Sequence, residues 1–115
     1  MRLTAGNVAS GSGAAIGSFG SINVSDVVFI ANNDAAIDIN NAASVSSITN
    51  CRFSQNLTNA IAIDAGTISV TDSTFEQNQG SAINNAGTLT VTNSTFDSNT
   101  GLAGGAISSS NTLTI

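Results

Sequence analysis

Thr67-Ile68-Ser69-Val70-Thr71-Asp72-Ser73-Thr74-Phe75-Glu76-Gln77-Asn78 is followed, 21 positions on, by Thr88-Leu89-Thr90-Val91-Thr92-Asn93-Ser94-Thr95-Phe96-Asp97-Ser98-Asn99. In both segments aliphatic residues alternate with hydroxyl residues, and the run then enters an Asp or Asn followed by Phe-x-x-Asn. A period of two belongs to a strand with one buried and one wet face. A helix needs a period of 3.6, and the alternating runs are too short for one.

The same pattern extends outward in both directions. Phe29, Phe53, Phe75 and Phe96 lie 24, 22 and 21 residues apart, and three residues after each stands Asn32, Asn56, Asn78 or Asn99. Five before each Phe is a branched aliphatic, Val24, Ile48, Val70 or Val91; seven before is Ile22, Ile68 or Leu89, with Ser46 beside Val45 as the exception. Two before come Val27, Cys51, Ser73 and Ser94, and three before come Asp26, Asn50, Asp72 and Asn93, residues suited to turns. After each Asn a variable stretch leads to Ala36-Ile37, Ala60-Ile61, Ala82-Ile83 and Ala106-Ile107. Backwards, Ala15-Ile16 supplies the pair, and the register places Val8 at the Phe position, Leu3 five before it and Met1 two earlier. Forwards, Leu113 and Ile115 repeat the alternating strand, so the chain is expected to begin and end on the same strand.

A repeat this short cannot bury its own apolar face and gains a core only by stacking on its neighbours. The Leu-dense strand of a leucine-rich repeat is absent. The expected fold is therefore all-β: a right-handed, single-stranded parallel β-helix of about five coils of 21–24 residues, one domain over residues 1–115, with both ends of the stack open. Each coil should rise by one strand spacing, about 4.8 Å, so that equivalent side chains pile on one another. Phe29, Phe53, Phe75 and Phe96 then form an interior stack, and Asn32, Asn56, Asn78 and Asn99 an internal amide ladder at a turn. Ends of this kind expose unpaired strand edges, for which flanking coils of a longer chain or end-to-end self-association are the expected partners.

Composition narrows the function. Only 8% of residues are charged and the only bases are Arg2 and Arg52, with a net charge of −5, so no cationic surface exists to bind nucleic acid or an anionic membrane. The 41% of hydrophobic residues recur at fixed intervals, which disordered tracts do not do. No stretch approaches the roughly 20 apolar residues of a membrane span, and the N-terminus lacks the apolar core of a signal peptide. One cysteine and no histidine leave neither a disulfide framework nor a zinc site. Cys51, which takes the place of Ser73 and Ser94, is expected to be a small buried residue.

Phe-x-x-Asn four times over, together with Gly104-Gly105-Ala106-Ile107, resembles the alternating FxxN and GGAI repeats of the polymorphic outer membrane protein family of autotransporters. The other GGAI equivalents are degenerate: Gly13-Ala14-Ala15-Ile16, Asp34-Ala35-Ala36-Ile37, Thr58-Asn59-Ala60-Ile61 and Gly80-Ser81-Ala82-Ile83. The resemblance implies a β-helical passenger segment of a longer secreted or surface-exposed bacterial protein, used in adhesion toward a host protein or glycan.

Candidate chemistry is sparse. The acids are Asp26, Asp34, Asp38, Asp64, Asp72, Glu76 and Asp97. A hydrolase would need two of them about 5–9.5 Å apart on one outward face, and a lyase would add a basic residue beside a metal cluster; with no Lys and Arg52 isolated, no catalytic residue, cofactor or metal site is assigned. Glu76 and Asp97 should be neighbours on adjacent coils and read as a solvated pair, and Asp34 with Asp38 as a polar loop rather than a Ca²⁺ site. The expected functional surface is the array Thr67, Ser69, Thr71, Thr88, Thr90, Thr92, Thr112 and Thr114. Three functions fit this reading: a non-catalytic spacer or adhesin surface, a piece of a pectate-lyase-like carbohydrate-active enzyme whose catalytic coils lie elsewhere, and ice binding through the Thr-x-Thr rows.

Overall fold

The computed structural model describes the main chain of residues 2–4 and all of residues 15–101 and 104–115. The strands are β1 (Arg2–Thr4), β2 (Ile16–Ser18), β3 (Asn23–Ser25), β4 (Val28–Ile30), β5 (Ile37–Thr49), β6 (Arg52–Ser54), β7 (Ile61–Thr71), β8 (Thr74–Glu76), β9 (Ile83–Asn85), β10 (Thr88–Thr92), β11 (Thr95–Asp97), β12 (Ile107–Ser109) and β13 (Thr112–Thr114). Every pairing is parallel. Five short strands form one sheet in the order β1-β4-β6-β8-β11, and the rest form a second, bent sheet in which long β5 and β7 each serve two sides of the solenoid. The described residues contain no helix.

The register is that of the repeat. Phe29 pairs with Phe53, Phe53 with Phe75 and Phe75 with Phe96. Their rings lie parallel within 5° at centroid separations of 4.7, 4.7 and 4.8 Å. That separation is the parallel-strand spacing, so the backbone ladder, rather than any preference of the rings, sets it. Beside this stack run Ile48–Val70–Val91, Ser46–Ile68–Leu89 and Ile37–Ile61–Ile83, all buried. Ser46 keeps its place in an apolar column because its Oγ accepts a hydrogen bond from the Ile22 amide at 3.0 Å, while Val45 points outward and is 66% exposed.

Two left-handed residues bracket each of β4, β6, β8 and β11. Asp26, Asn50, Asp72 and Asn93 turn the chain into it with φ of 57°, 52°, 51° and 49°, as their sequence positions predict. Ala31, Gln55, Gln77 and Ser98 turn it out again with φ of 54–56°, although none of them is a residue type that favours this conformation. A left-handed L-residue costs roughly 1–2 kcal/mol. The Asn ladder immediately after this second turn supplies the compensation.

Within the three middle coils length varies at one corner, whereas Phe96 to Ile107 in the last coil is 11 residues. Phe to Ile is eight residues in three successive coils (29 to 37, 53 to 61, 75 to 83), and the residue five before Phe is invariantly spaced. The differences fall between the Ile strand and the Thr/Ser strand, where β5 bulges between Asn40 and Val45. Gly66, with φ 108°, turns this corner in the next coil, and a Cβ on Gly87 would lie 2.5 Å from the Gly66 carbonyl oxygen.

The N-terminal register differs from expectation. Leu3 pairs with Phe29 and therefore occupies the Phe position itself, not the place five before it; Met1 and Val8 lie outside the described residues. The reason is a long first connection: Leu3 to Ile16 is 13 residues, where the next three coils use 8, so counting back from Ala15-Ile16 misplaces the strand. The first described strand belongs to the Phe sheet and the last to the other sheet, so the two ends do not share a strand position.

The stack predicts its own weak point. Phe75→Ala, fully buried between two rings, is expected to lower unfolding free energy by about 3–5 kcal/mol in urea titration. A loss under about 1 kcal/mol would be incompatible with this packing.

Candidate functional site

The second sheet presents β7, β10 and β13 side by side, and alternation divides their residues cleanly. Ile68, Val70, Leu89 and Val91 are buried, while Thr67, Ser69, Thr90, Thr92, Thr112 and Thr114 are exposed and Thr71 and Thr88 partly so. Thr67, Thr88 and Thr112 form one outward column, Ser69, Thr90 and Thr114 a second, and Thr71 and Thr92 a third. All eight residues expected from the sequence therefore lie on one face. Thr is stiff at χ1, so its hydroxyl and methyl repeat with the backbone, about 4.8 Å between coils and 6.6 Å between alternate residues.

The columns continue toward the N-terminus as Val45, as Ser47 and Asn23, and as Thr49 and Ser25. Ser47 Oγ donates to Asn23 Oδ1 at 2.8 Å. No charged residue stands in any of the three columns; only Val45 breaks their polarity. Acids begin one residue further along, where Asn50 Nδ2 donates to Asp26 Oδ1 at 2.6 Å and Asn93 Nδ2 to Asp72 Oδ1 at 2.5 Å. Asp and Asn alternate up that turn, so each carboxylate has an amide donor on an adjacent coil rather than a second carboxylate.

What holds the face rigid is the ladder on the far side of the Phe strand. Asn32 Nδ2 donates to Asn56 Oδ1, Asn56 Nδ2 to Asn78 Oδ1 and Asn78 Nδ2 to Asn99 Oδ1, each at 2.8 Å. The same three oxygens accept the backbone N–H of Asn32, Asn56 and Asn78 at 3.1 Å. The second amide hydrogens of Asn56, Asn78 and Asn99 go to the carbonyls of Phe29, Phe53 and Phe75 at 3.4, 3.1 and 3.0 Å. Only a side chain with one double acceptor and two donors satisfies this set. A parallel device lies at the other turn, where the Cys51 amide donates to Ser73 Oγ at 3.2 Å and the Ser73 amide to Ser94 Oγ at 3.1 Å.

The acids do not gather into a catalytic group. Glu76 and Asp97 are in register on adjacent coils, as expected, but Arg52 is not isolated: it lies in register with Thr74 and binds Glu76, with Nε donating to Oε1 at 2.7 Å. Diagonal neighbours on a sheet are within reach of a long side chain, and the sequence alone does not say which diagonal is used. Asp34 Oδ1 accepts the Ala35 amide, and Asp38 sits in β5 in register with Gly17 and Ala62. Among the described residues no three His, Cys, Asp or Glu side chains come close enough to hold a metal ion.

Sequence reading missed Asn85. It stands in the inward column of Ile39 and Ile63, buried, where its amide donates to Ser109 Oγ and the Thr112 carbonyl at 3.0 Å and its oxygen accepts the Gly87 amide at 3.0 Å. The signal available was the change from Ile to Asn to Ser down that column (Ile63, Asn85, Ser109).

Parallel pairing in every coil, an internal amide ladder and a continuous apolar column agree with the one comparison that finds a match. The family model described as right-handed beta helix region matches residues 3–115. The chain belongs to the right-handed β-helix region family. No curated protein and no solved structure matches it significantly. Members of a right-handed β-helix family need not share chemistry, because function resides in the side chains a given chain displays.

Cys51 in this β-helix is buried, and burial pushes its thiol up from the ordinary 9.0, against the opposing pull of backbone hydrogen bonds, Val27 first. A thiol whose folded pKa is raised favours the fold while protonated, so stability should hold below about pH 9 and decline as pH rises toward the folded value. Cys51→Ser, which matches Ser73 and Ser94, is expected to fold and to abolish that decline in urea midpoints measured from pH 8 to 11. Asn78→Leu should cost more than about 2 kcal/mol by equilibrium unfolding, because it strands the Asn56 amides; an unchanged midpoint would contradict the ladder's role.

Proposed function

We propose that this chain is a non-catalytic β-helical segment of a secreted or cell-surface bacterial protein, acting as a rigid spacer whose Thr/Ser face is an adhesin surface toward a glycan or host protein. One observation carries the reading: eight hydroxyl residues stand in register on an outward sheet face that carries no charge. Such a face recognises repeated neutral groups, since each hydroxyl both donates and accepts and each threonine methyl offers an apolar contact. The Phe-x-x-Asn and GGAI repeats add support through their likeness to autotransporter passengers. A structural rather than catalytic role is further supported by Glu76, whose carboxylate is engaged by Arg52.

The test is direct. Ser69→Lys with Thr112→Lys, exposed positions in different columns on non-adjacent strands, is expected to abolish adhesion to cells or to arrayed glycans and leave the unfolding free energy within about 0.5 kcal/mol of the parent. Retained adhesion would rule out this face, and turnover of an acidic polysaccharide by the chain would rule out the non-catalytic reading. The repeated Thr67–Thr88–Thr112 column also favours a second reading, ordering of surface water as an ice-binding face, for which thermal hysteresis removed by the same double variant is the expected outcome.

A further inference from the structure

A second concave surface lies on the flank of the solenoid, at the corner between the Asn ladder and the Ile strands. Leu57, Asn59, Gln79, Ser81 and Asn84 line an open depression there of about 400 Å³, which shares no residue with the Thr/Ser face. That size is within the range of small-ligand clefts, about 300–1,000 Å³. These five residues belong to two middle coils, each with another coil stacked on either side.

Small residues open the cleft and main chain forms its floor. Asn84 stands between Ala62 and Ser108 in the outward column of the Ile strands. A Cβ on Gly80 would lie 2.5 Å from the Thr58 carbonyl carbon, so glycine lets the two turns close on each other. Amides along the floor are already used: those of Leu57, Gln79 and Gly80 donate to the carbonyls of Asn32, Asn56 and Thr58 at 2.9 Å. A bound molecule therefore meets side chains rather than a free strand edge.

Those side chains keep their hydrogen-bonding capacity. Among the described residues, neither the side-chain amides of Asn59, Gln79 and Asn84 nor the Ser81 hydroxyl make a hydrogen bond within the protein. Ser81 is the telling member, because it is only 5% exposed. A polar group buried to that degree costs free energy unless something pairs with it. Leu57, where the equivalent residues are Asn33, Gln79 and Thr100, adds an apolar side chain that is 45% exposed. No charged residue is among the described residues of the lining.

We propose that this cleft is a binding site for a neutral saccharide. Primary amides and hydroxyls offer donors and acceptors together, which is what sugar hydroxyls require. Leu57 offers contact to the C–H face of a ring, and a charged ligand would lose its water without gaining a counter-charge. Leu57 and Gln79, and likewise Asn59 and Ser81, are equivalent positions one coil rise of about 4.8 Å apart, so an elongated ligand lies along the solenoid axis. The site is separate from the Thr/Ser face and stands or fails independently of the adhesive reading.

Nitrogen–proton correlation NMR of the chain, titrated separately with cellotriose, maltotriose and N-acetylchitotriose, is the test. At least one is expected to give saturable shifts in the side-chain amides of Asn59, Gln79 and Asn84. Ser81→Ala should weaken that binding roughly fivefold, the loss of one neutral hydrogen bond, without lowering the urea midpoint. Asn84→Lys, at an exposed position of β9, should abolish it, whereas Ser69→Lys with Thr112→Lys should leave it unchanged. The proposal is overturned by no shift with any of the three, by shifts confined to other residues, by tighter binding of the acidic trigalacturonate, or by a Ser81→Ala chain that is destabilised with binding intact.

Discussion

Each coil of this protein is locked to the next by a hydrogen-bonded parallel ladder, which imposes one repeat distance on everything attached to it. The phenylalanine rings, held 4.7–4.8 Å apart, sit at the distance the ladder dictates. Because that distance also suits amide-to-amide hydrogen bonds, Asn32, Asn56, Asn78 and Asn99 form a continuous chain of 2.8 Å contacts without local adjustment. Burial of a Phe contributes about 1.5–3 kcal/mol. A buried amide, by contrast, contributes chiefly by not being left unsatisfied, so the apolar stack supplies stability and the ladder supplies register.

The cost of the architecture lies at its corners. Among the described residues eight other than glycine adopt positive φ, two per coil through four successive coils. At the entry to the Phe strand the strain is small, because Asp and Asn tolerate it. At the exit it falls on Ala31, Gln55, Gln77 and Ser98, and at the first three the ladder Asn of the next coil takes up the backbone amide and carbonyl groups that the turn would otherwise strand. Among the three middle coils variation in length is displaced to the third corner, where Gly66 and a bulge in β5 accommodate it without disturbing either ladder.

The same repeat distance turns a weak individual feature into a surface. A threonine on a wet strand is ordinary, but Thr67, Thr88 and Thr112 stacked in register, beside Ser69, Thr90 and Thr114, make a periodic neutral array. Charge is kept off it and concentrated elsewhere, on the turn of Asp26 and Asp72 and on the outer side of the Phe sheet, where Arg52 meets Glu76. Exposed pairs of that kind contribute little to stability; here Arg52 offsets the charge of one of two carboxylates, Glu76 and Asp97, that stand in register.

The spacing of the phenylalanines, asparagines and aliphatics was enough to determine the β-helix, the Phe stack and Asn ladder from Phe29 to Asn99 and the eight residues of the outward face, because a repeat of 21–24 residues buries its apolar positions only by stacking coil on coil. What needed the folded chain were the features that depend on how coils are connected and rotated rather than on what each contains. The long link between Leu3 and Ile16 moves Leu3 into the Phe position, which no count of residues reveals. The left-handed turn at Ala31, Gln55, Gln77 and Ser98 is imposed by the ladder that follows it and has no mark in the residues that adopt it. The choice of Glu76 by Arg52 rests on a diagonal contact between coils, and Asn85 gains its role from a corner formed by Gly87, Ser109 and Thr112. Periodicity names the neighbours along a column; only the path of the backbone through space decides which columns touch.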